Sequence, residues 1–160
     1  MALLVLGAVS AWAQQYSFKS GALYYRITDV TARKVSVVSE LANGNYATGN
    51  LPTGAIDIPS TVVHNSQNYT VTAIDNIAFY KNAQITSVNF PNTLETIGNH
   101  AFYETTSLTT VSALPASLKS IGNQAFSSSG LQSIDLSQTQ VTELKYESFK
   151  ANYQDRKSVV

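Results

Sequence analysis

The chain has 160 residues, ten Lys and Arg against ten Asp and Glu, and no cysteine. That length suits one domain. The balanced charge excludes a nucleic-acid surface, which needs a concentrated basic patch, and the missing cysteines exclude disulfides, thiolate metal sites and cysteine nucleophiles.

Residues 1–13 read MALLVLGAVSAWA. A short apolar run, Leu3 to Val9, precedes the small-x-small site Ala11-Trp12-Ala13. This is the pattern of a secretory signal peptide, although no Lys or Arg stands before Leu3. The run is well short of the ~18–20 apolar residues that span a bilayer, and no second run approaches that length. The mature chain is therefore expected outside the cell, secreted or at its surface, with no membrane span.

Residues 14–70 read as a β-rich N-terminal cap. Segments 22–30 (ALYYRITDV) and 34–40 (KVSVVSE) are rich in β-branched and aromatic residues and predict strands. Asn43-Gly44-Asn45 and Gly49-Asn50-Leu51-Pro52 are turn signals. Val62-Val63-His64 and Tyr69-Thr70-Val71 flank residues 65–68 as a hairpin. Asn68-Tyr69-Thr70 matches a glycosylation acceptor, but a single triplet is a weak signal.

Residues 71–160 repeat. Ala78-Phe79, Ala101-Phe102, Ala125-Phe126 and Ser148-Phe149 place phenylalanines 23, 24 and 23 residues apart. Four residues before each Ala or Ser stands Ile74, Ile97, Ile121 or Leu144, and three earlier Val71, Leu94, Leu118 or Val141. Asn76, Asn99 and Asn123 precede the Ala by two. A second apolar set follows each Phe: Ile85, Val88, Phe90; Leu108, Val111, Ala113; Leu131, Ile134, Leu136. One such unit cannot bury its apolar positions alone, but stacked units align them into ladders. The alternating V-x-L segment predicts a short strand, parallel to its neighbours at ~4.8 Å. The phenylalanines predict a buried spine, and the A-F segment a short helical turn on the opposite wall. The expected fold is a β-rich α/β repeat solenoid of 23–24-residue coils, the last of them incomplete. Its final coil would need covering. Residues 156–160 lie where a further strand should form, so either the natural chain continues or Val159 and Val160 pair as a last edge strand.

The repeat resembles the BspA-type leucine-rich repeats of bacterial surface and secreted proteins. TLETIGNHAFYETTSLTTV (93–111), SLKSIGNQAFSSSGLQSIDL (117–136) and VTAIDNIAFYKNAQITSVNFP (71–91) carry the resemblance. It implies a leucine-rich-repeat fold and adhesion to host or neighbouring cells. Where the family often has Cys after the Phe, this chain has Asn82, Thr105 and Ser129, and Lys145-Tyr146 replaces Gly-Asn in the fourth copy.

No cofactor, metal or catalytic residue is expected. His100 shares a variable repeat place with Ile77, Gln124 and Glu147, which reads as exposed surface, and His64 ends a strand far from it in sequence. Glu95 is in register with Lys119, as an exposed ion pair, and Glu143 with Ser120. No two carboxylates are forced together as an acid–base pair would require. The alternation instead turns Ser87 and Asn89, Thr110 and Ser112, and Ser133 and Asp135 to the open face. These six form the candidate ligand-binding wall, with Thr86, Thr109 and Gln132 just before them. The same short polar side chains also simply solvate a β face. Tyr80 and Tyr103 stack in register, as platforms for a ligand or as padding of the convex wall. Two readings follow: a secreted or surface module binding an extracellular protein or glycan, or a stiff arm presenting a domain beyond Val160. An enzyme would need a convergent acid–base pair that the sequence does not supply.

Overall fold

The structure is a computed structural model, and it describes residues 15–152. Residues 1–13 and 156–160, on which the export signal and the final strand were expected, lie outside the described residues. Ten short strands form two sheets. Strands β1 (Phe18–Ser20), β2 (Leu23–Asp29) and β3 (Lys34–Val38) run antiparallel, edge to edge. β3 then pairs in parallel with β6 (Gln67–Ile74), β6 with β8 (Thr96–Ile97), and β8 with β10 (Ser120–Ile121). β5 (Thr61–His64) is a hairpin partner of β6, and its turn residues Asn65 and Ser66 have φ of 50° and 61°. Positive φ at both central residues is what a tight two-residue hairpin turn requires. The second sheet is parallel throughout: β4 (Gly54–Asp57), β7 (Ile85–Asn89) and β9 (Thr110–Val111).

The sheets sit on either side of one core. Val71, Ile74, Ile97 and Ile121 enter it from the first sheet and Ile85 and Val88 from the second, with Leu94, Leu118 and Leu108 two residues before β8, β10 and β9. The expected spine is present. Phe79, Phe102 and Phe126 are fully buried, and successive ring centroids from Phe79 to Phe149 lie 5.1, 5.0 and 5.4 Å apart with near-parallel planes. Phe149, at the end of the described stack, is half-buried.

Two expectations are corrected. No helix occurs among the described residues, so the α component of the α/β reading falls away. The wall opposite the V-x-L strands is a second parallel ladder built from the Thr-Ile and Ser-Ile pairs that precede each Gly-Asn. The A-F segment is instead a turn that bonds across repeats. Ile77, Phe79 and Lys81 donate their amides to the carbonyls of Asn99, Ala101 and Tyr103 at 2.9, 2.8 and 2.7 Å. His100, Phe102 and Glu104 do the same to Asn123, Ala125 and Ser127, and Gln124, Phe126 and Ser128 to Tyr146, Ser148 and Lys150. The amides between them close local turns, as Tyr80 does on Ile77. A helical turn directs its amides along its own axis rather than sideways to a neighbouring repeat. The alternation needs left-handed residues at fixed places, and each turn has two: Ile77 and Lys81, His100 and Glu104, Gln124 and Ser128, Glu147 and Ala151, all with φ between 50° and 56°. For a β-branched residue such as Ile77 this is a real conformational cost.

The second correction concerns the third V-x-L segment. Residues 131–136 form no strand, so the second sheet ends at β9. This repeat has four residues between Phe126 and Leu131 where the earlier repeats have five. Gly130 carries it past the Thr106 carbonyl oxygen, where a Cβ would stand at 2.5 Å.

Close packing of repeats also explains Gly122. A Cβ there would lie 2.5 Å from the Asn99 amide nitrogen, well inside contact distance. Its neighbour Asn123 accepts the Tyr146 amide through its side chain, as Asn76 accepts Asn99 and Asn99 accepts Asn123. We expect Gly122→Ala to lower the melting temperature although it adds one methyl. Truncating the central spine residue, Phe126→Ala, should cost on the order of 3–5 kcal/mol in urea unfolding. A midpoint unchanged in the second variant would refute the spine.

Candidate binding surface

Strand alternation sets the face of the second sheet. Ile56, Val88 and Val111 are in register and turn inward. Ala55, Ser87 and Thr110 are in register one place before them and turn outward, as do Asp57 and Asn89 one place after. Of the six residues expected on this wall, the ladder thus brings Ser87 and Thr110 side by side. It sets Asn89 against Asp57, a residue the sequence reading left out because it precedes the first repeat.

Ser112 is half-buried, and its hydroxyl accepts the Phe90 amide at 2.9 Å. That hydroxyl therefore helps join two repeats. Ser133 and Asp135 are exposed but lie on the segment that forms no strand, so they are not in ladder register with Thr110. Asp135 accepts the Ser137 amide at 2.8 Å, which holds its carboxyl below the ordinary aspartate range. The wall is an open polar face, widest across β4, β7 and β9.

The remaining sequence candidates have local partners. The His64 ring stacks on Phe18 with centroids 4.3 Å apart. His100 is half-buried rather than exposed; its Nε2 lies 2.7 Å from Gln124 Oε1, and Gln124 donates onward to Glu147 at 2.8 Å. Tyr80 and Tyr103 stack at 5.4 Å, both half-buried. Among the described residues, no three His, Cys, Asp or Glu side chains are grouped to hold a metal ion, and no helix is long and apolar enough to cross a membrane.

On the outer face of the first sheet the expected Glu95–Lys119 pair is present at 2.7 Å, and Glu95 also meets Lys34 at 3.0 Å. Lys34 was not foreseen, because β3 had not been placed beside the repeats. The three charges border a shallow groove of about 360 Å³ with Thr70, Thr93 and Gln140. Two of its hydroxyls are engaged in joining repeats: Thr93 donates to the Val71 carbonyl and Ser117 to the Leu94 carbonyl, each at 2.7 Å.

Two parallel ladders joined by turns that recur every 23–24 residues define a protein built from leucine-rich repeats. The family model of the BspA type leucine rich repeat region matches residues 72–157 in six copies, and the chain belongs to that family. No curated protein matches it. Among solved structures, a leucine-rich repeat protein from Bacteroides ovatus is similar at TM-score 0.61 and 24% identity, over 84% of this chain and 38% of that one. A leucine rich cell surface protein from Faecalibacterium prausnitzii aligns at 0.57 and 24%, over 80% of this chain and 31% of that one. A leucine-rich repeat protein from Bacteroides capillosus aligns at 0.56 and 22%, over 81% and 97%. At these identities the likeness shows the fold alone. The chain spans about a third of the length of the first two.

The Glu95 cluster gives a pH test. Hydrogen bonds from Lys119 first and Lys34 second hold the Glu95 carboxyl below the ordinary glutamate range. A carboxyl lowered by folding stabilises the fold above its unfolded pKa and loses that contribution as pH falls through the folded value. The pairs are partly exposed, so each contributes at most ~1 kcal/mol. Glu95→Gln should therefore be less stable than the parent at pH 7, and the two melting temperatures should converge as pH falls below about 4. A constant gap across that range would show that the carboxylate charge contributes nothing.

Proposed function

We propose that the protein is an exported binding module, secreted or held at the cell surface, and that the open face of the second sheet contacts an extracellular protein or glycan. The observation that carries this reading is the register of that face. Ser87 beside Thr110, and Asn89 beside Asp57, present short hydrogen-bonding side chains at the fixed spacing of neighbouring strands. Short side chains lose little rotamer freedom on contact, so a broad face of them suits an extended macromolecular partner. Ser133 and Asp135 extend the polar area beyond the ladder, and Ser112 borders it. No step of this reading calls on a cofactor or on catalysis.

Export rests on residues 1–13 and on likeness to a structure described as a leucine rich cell surface protein. Removal of that segment would leave residues 14–70 as a cap over the first repeat and 71–160 as the repeat domain. The cap is supported by β3 and β4, which pair in parallel with β6 and β7, and by the Tyr46 hydroxyl, which donates to the Ala78 carbonyl at 2.6 Å.

Labelled full chain should be retained on cells that display its partner. The combined variant Ser87→Lys, Thr110→Lys, Ser133→Lys, Asp135→Lys places four long cations on the face and should lower retention at least tenfold with no change in melting temperature. Undiminished retention would mean that this face is not the site. Intact-mass analysis of the native protein from surface and culture-fluid fractions tests export and cleavage after Ala13 directly.

A further inference from the structure

A recess lies apart from the repeat wall. Between the segment 41–53 and the first A-F turn lies a cleft of about 640 Å³, inside the range of about 300–1,000 Å³ usual for small-ligand sites. It exists because residues 39–53 join β3 to β4 by a longer loop where every later repeat has its compact turn. We propose that this cleft is a second binding site, separate from the wall, and that it takes a neutral oligosaccharide.

The lining carries the argument. Asn45, Thr48, Thr53 and Gln84 border the cleft and are exposed, and no described residue hydrogen-bonds to their side chains. Amides and hydroxyls both donate and accept, as the hydroxyls of a sugar do. The half-buried Tyr80, stacked on Tyr103, borders the same space and adds apolar surface to its rim. Among the described residues, the only charge on the lining is Lys81. Its ammonium lies 5.3 Å from the Tyr80 centroid and 3.6 Å from Glu104, so its charge is already met. A neutral ligand fits this balance better than an anion. A peptide strand would need an open backbone edge. Beside the cleft that edge is closed, because the Gly54 amide donates to the Gln84 carbonyl at 2.8 Å.

The recess is also held in shape. Glu40 accepts the Ala47 amide at 2.8 Å and the Asn50 side chain at 3.0 Å, and Tyr46 pins the loop to Ala78. Gly44, buried with φ of 85°, lets the loop press onto the repeat, since a Cβ there would stand 3.1 Å from the Tyr80 Cβ. A fixed cleft spends little affinity on ordering itself.

The test is titration calorimetry on the full chain with maltotriose, cellotriose, mannotriose, chitotriose and galactotriose, and with sialyllactose and a poly-alanine peptide as contrasts. At least one neutral trisaccharide should bind. Asn45→Ala combined with Gln84→Ala should weaken it at least tenfold at unchanged melting temperature, and Thr48→Trp should block it. Ser87→Lys with Thr110→Lys should leave sugar binding intact, and the cleft variants should leave cell retention intact, so the two sites fail separately. Absence of binding by every neutral trisaccharide at 5 mM, tighter binding of sialyllactose or the peptide, or binding that survives Thr48→Trp would each overturn the proposal.

Discussion

Everything in this fold depends on identical backbone positions of successive repeats standing one strand spacing apart. At that distance amides of one repeat reach carbonyls of the next along both sheets and along the A-F turns. The same spacing sets the phenylalanine rings at about 5 Å, a good stacking distance. Polar cohesion and apolar packing thus share one repeat distance, and a residue that widens the gap weakens both. This is why glycine stands at 98 and 122, where the neighbouring repeat leaves no room for a Cβ.

The turns show what that constraint costs. Two left-handed residues per turn are unfavourable for any side chain and more so for Ile77. In return, every second amide of the turn faces its neighbour instead of its own carbonyls. The cost recurs in each repeat and is offset in each repeat, as expected of a structure whose stability is a sum of unit and interface contributions. The asparagine ladder adds to this. Each Asn side chain accepts an amide of the following repeat, and the series ends where Tyr146 takes the Asn place and stands exposed.

Much of this was legible in the sequence, because a repeat writes its contacts several times over. The spacing of Phe79, Phe102, Phe126 and Phe149 gave the spine, and Glu95 against Lys119 gave an inter-repeat ion pair at the correct register. The Thr-Ile and Ser-Ile strands were missed, since two-residue strands carry too little alternation to stand out. The turn was misread as helical because a small residue before a large one fits either geometry, and the left-handed places hold Ile, Lys, His, Glu, Gln, Ser and Ala, none of which signals positive φ. The face was half legible. Alternation sorted Ser87 and Thr110 outward, but Asp57 belongs to a strand that falls outside the 23–24-residue spacing. The cleft beside Tyr80 was not legible at all, because it arises where the repeat is absent.

The position of the cleft bears on where function resides in such a chain. Within the repeats, the positions free to vary are those whose side chains join no neighbour. Thr93, Ser117, Ser112, Asn99 and Asn123 look like surface polar residues in the sequence, yet each bonds across a repeat junction. The wall that remains is shallow and repetitive, suited to a broad partner and unsuited to enclosing a small one. A recess needs a break in the repetition, and residues 39–53 supply it at the junction of β3 and β4 with the first repeat. Glu40, Tyr46 and Gly44 hold that break in place without using the side chains of Asn45, Thr48, Thr53 and Gln84. Repetition therefore provides the frame, and the proposed specificity for a compact ligand sits where residues 39–53 interrupt it.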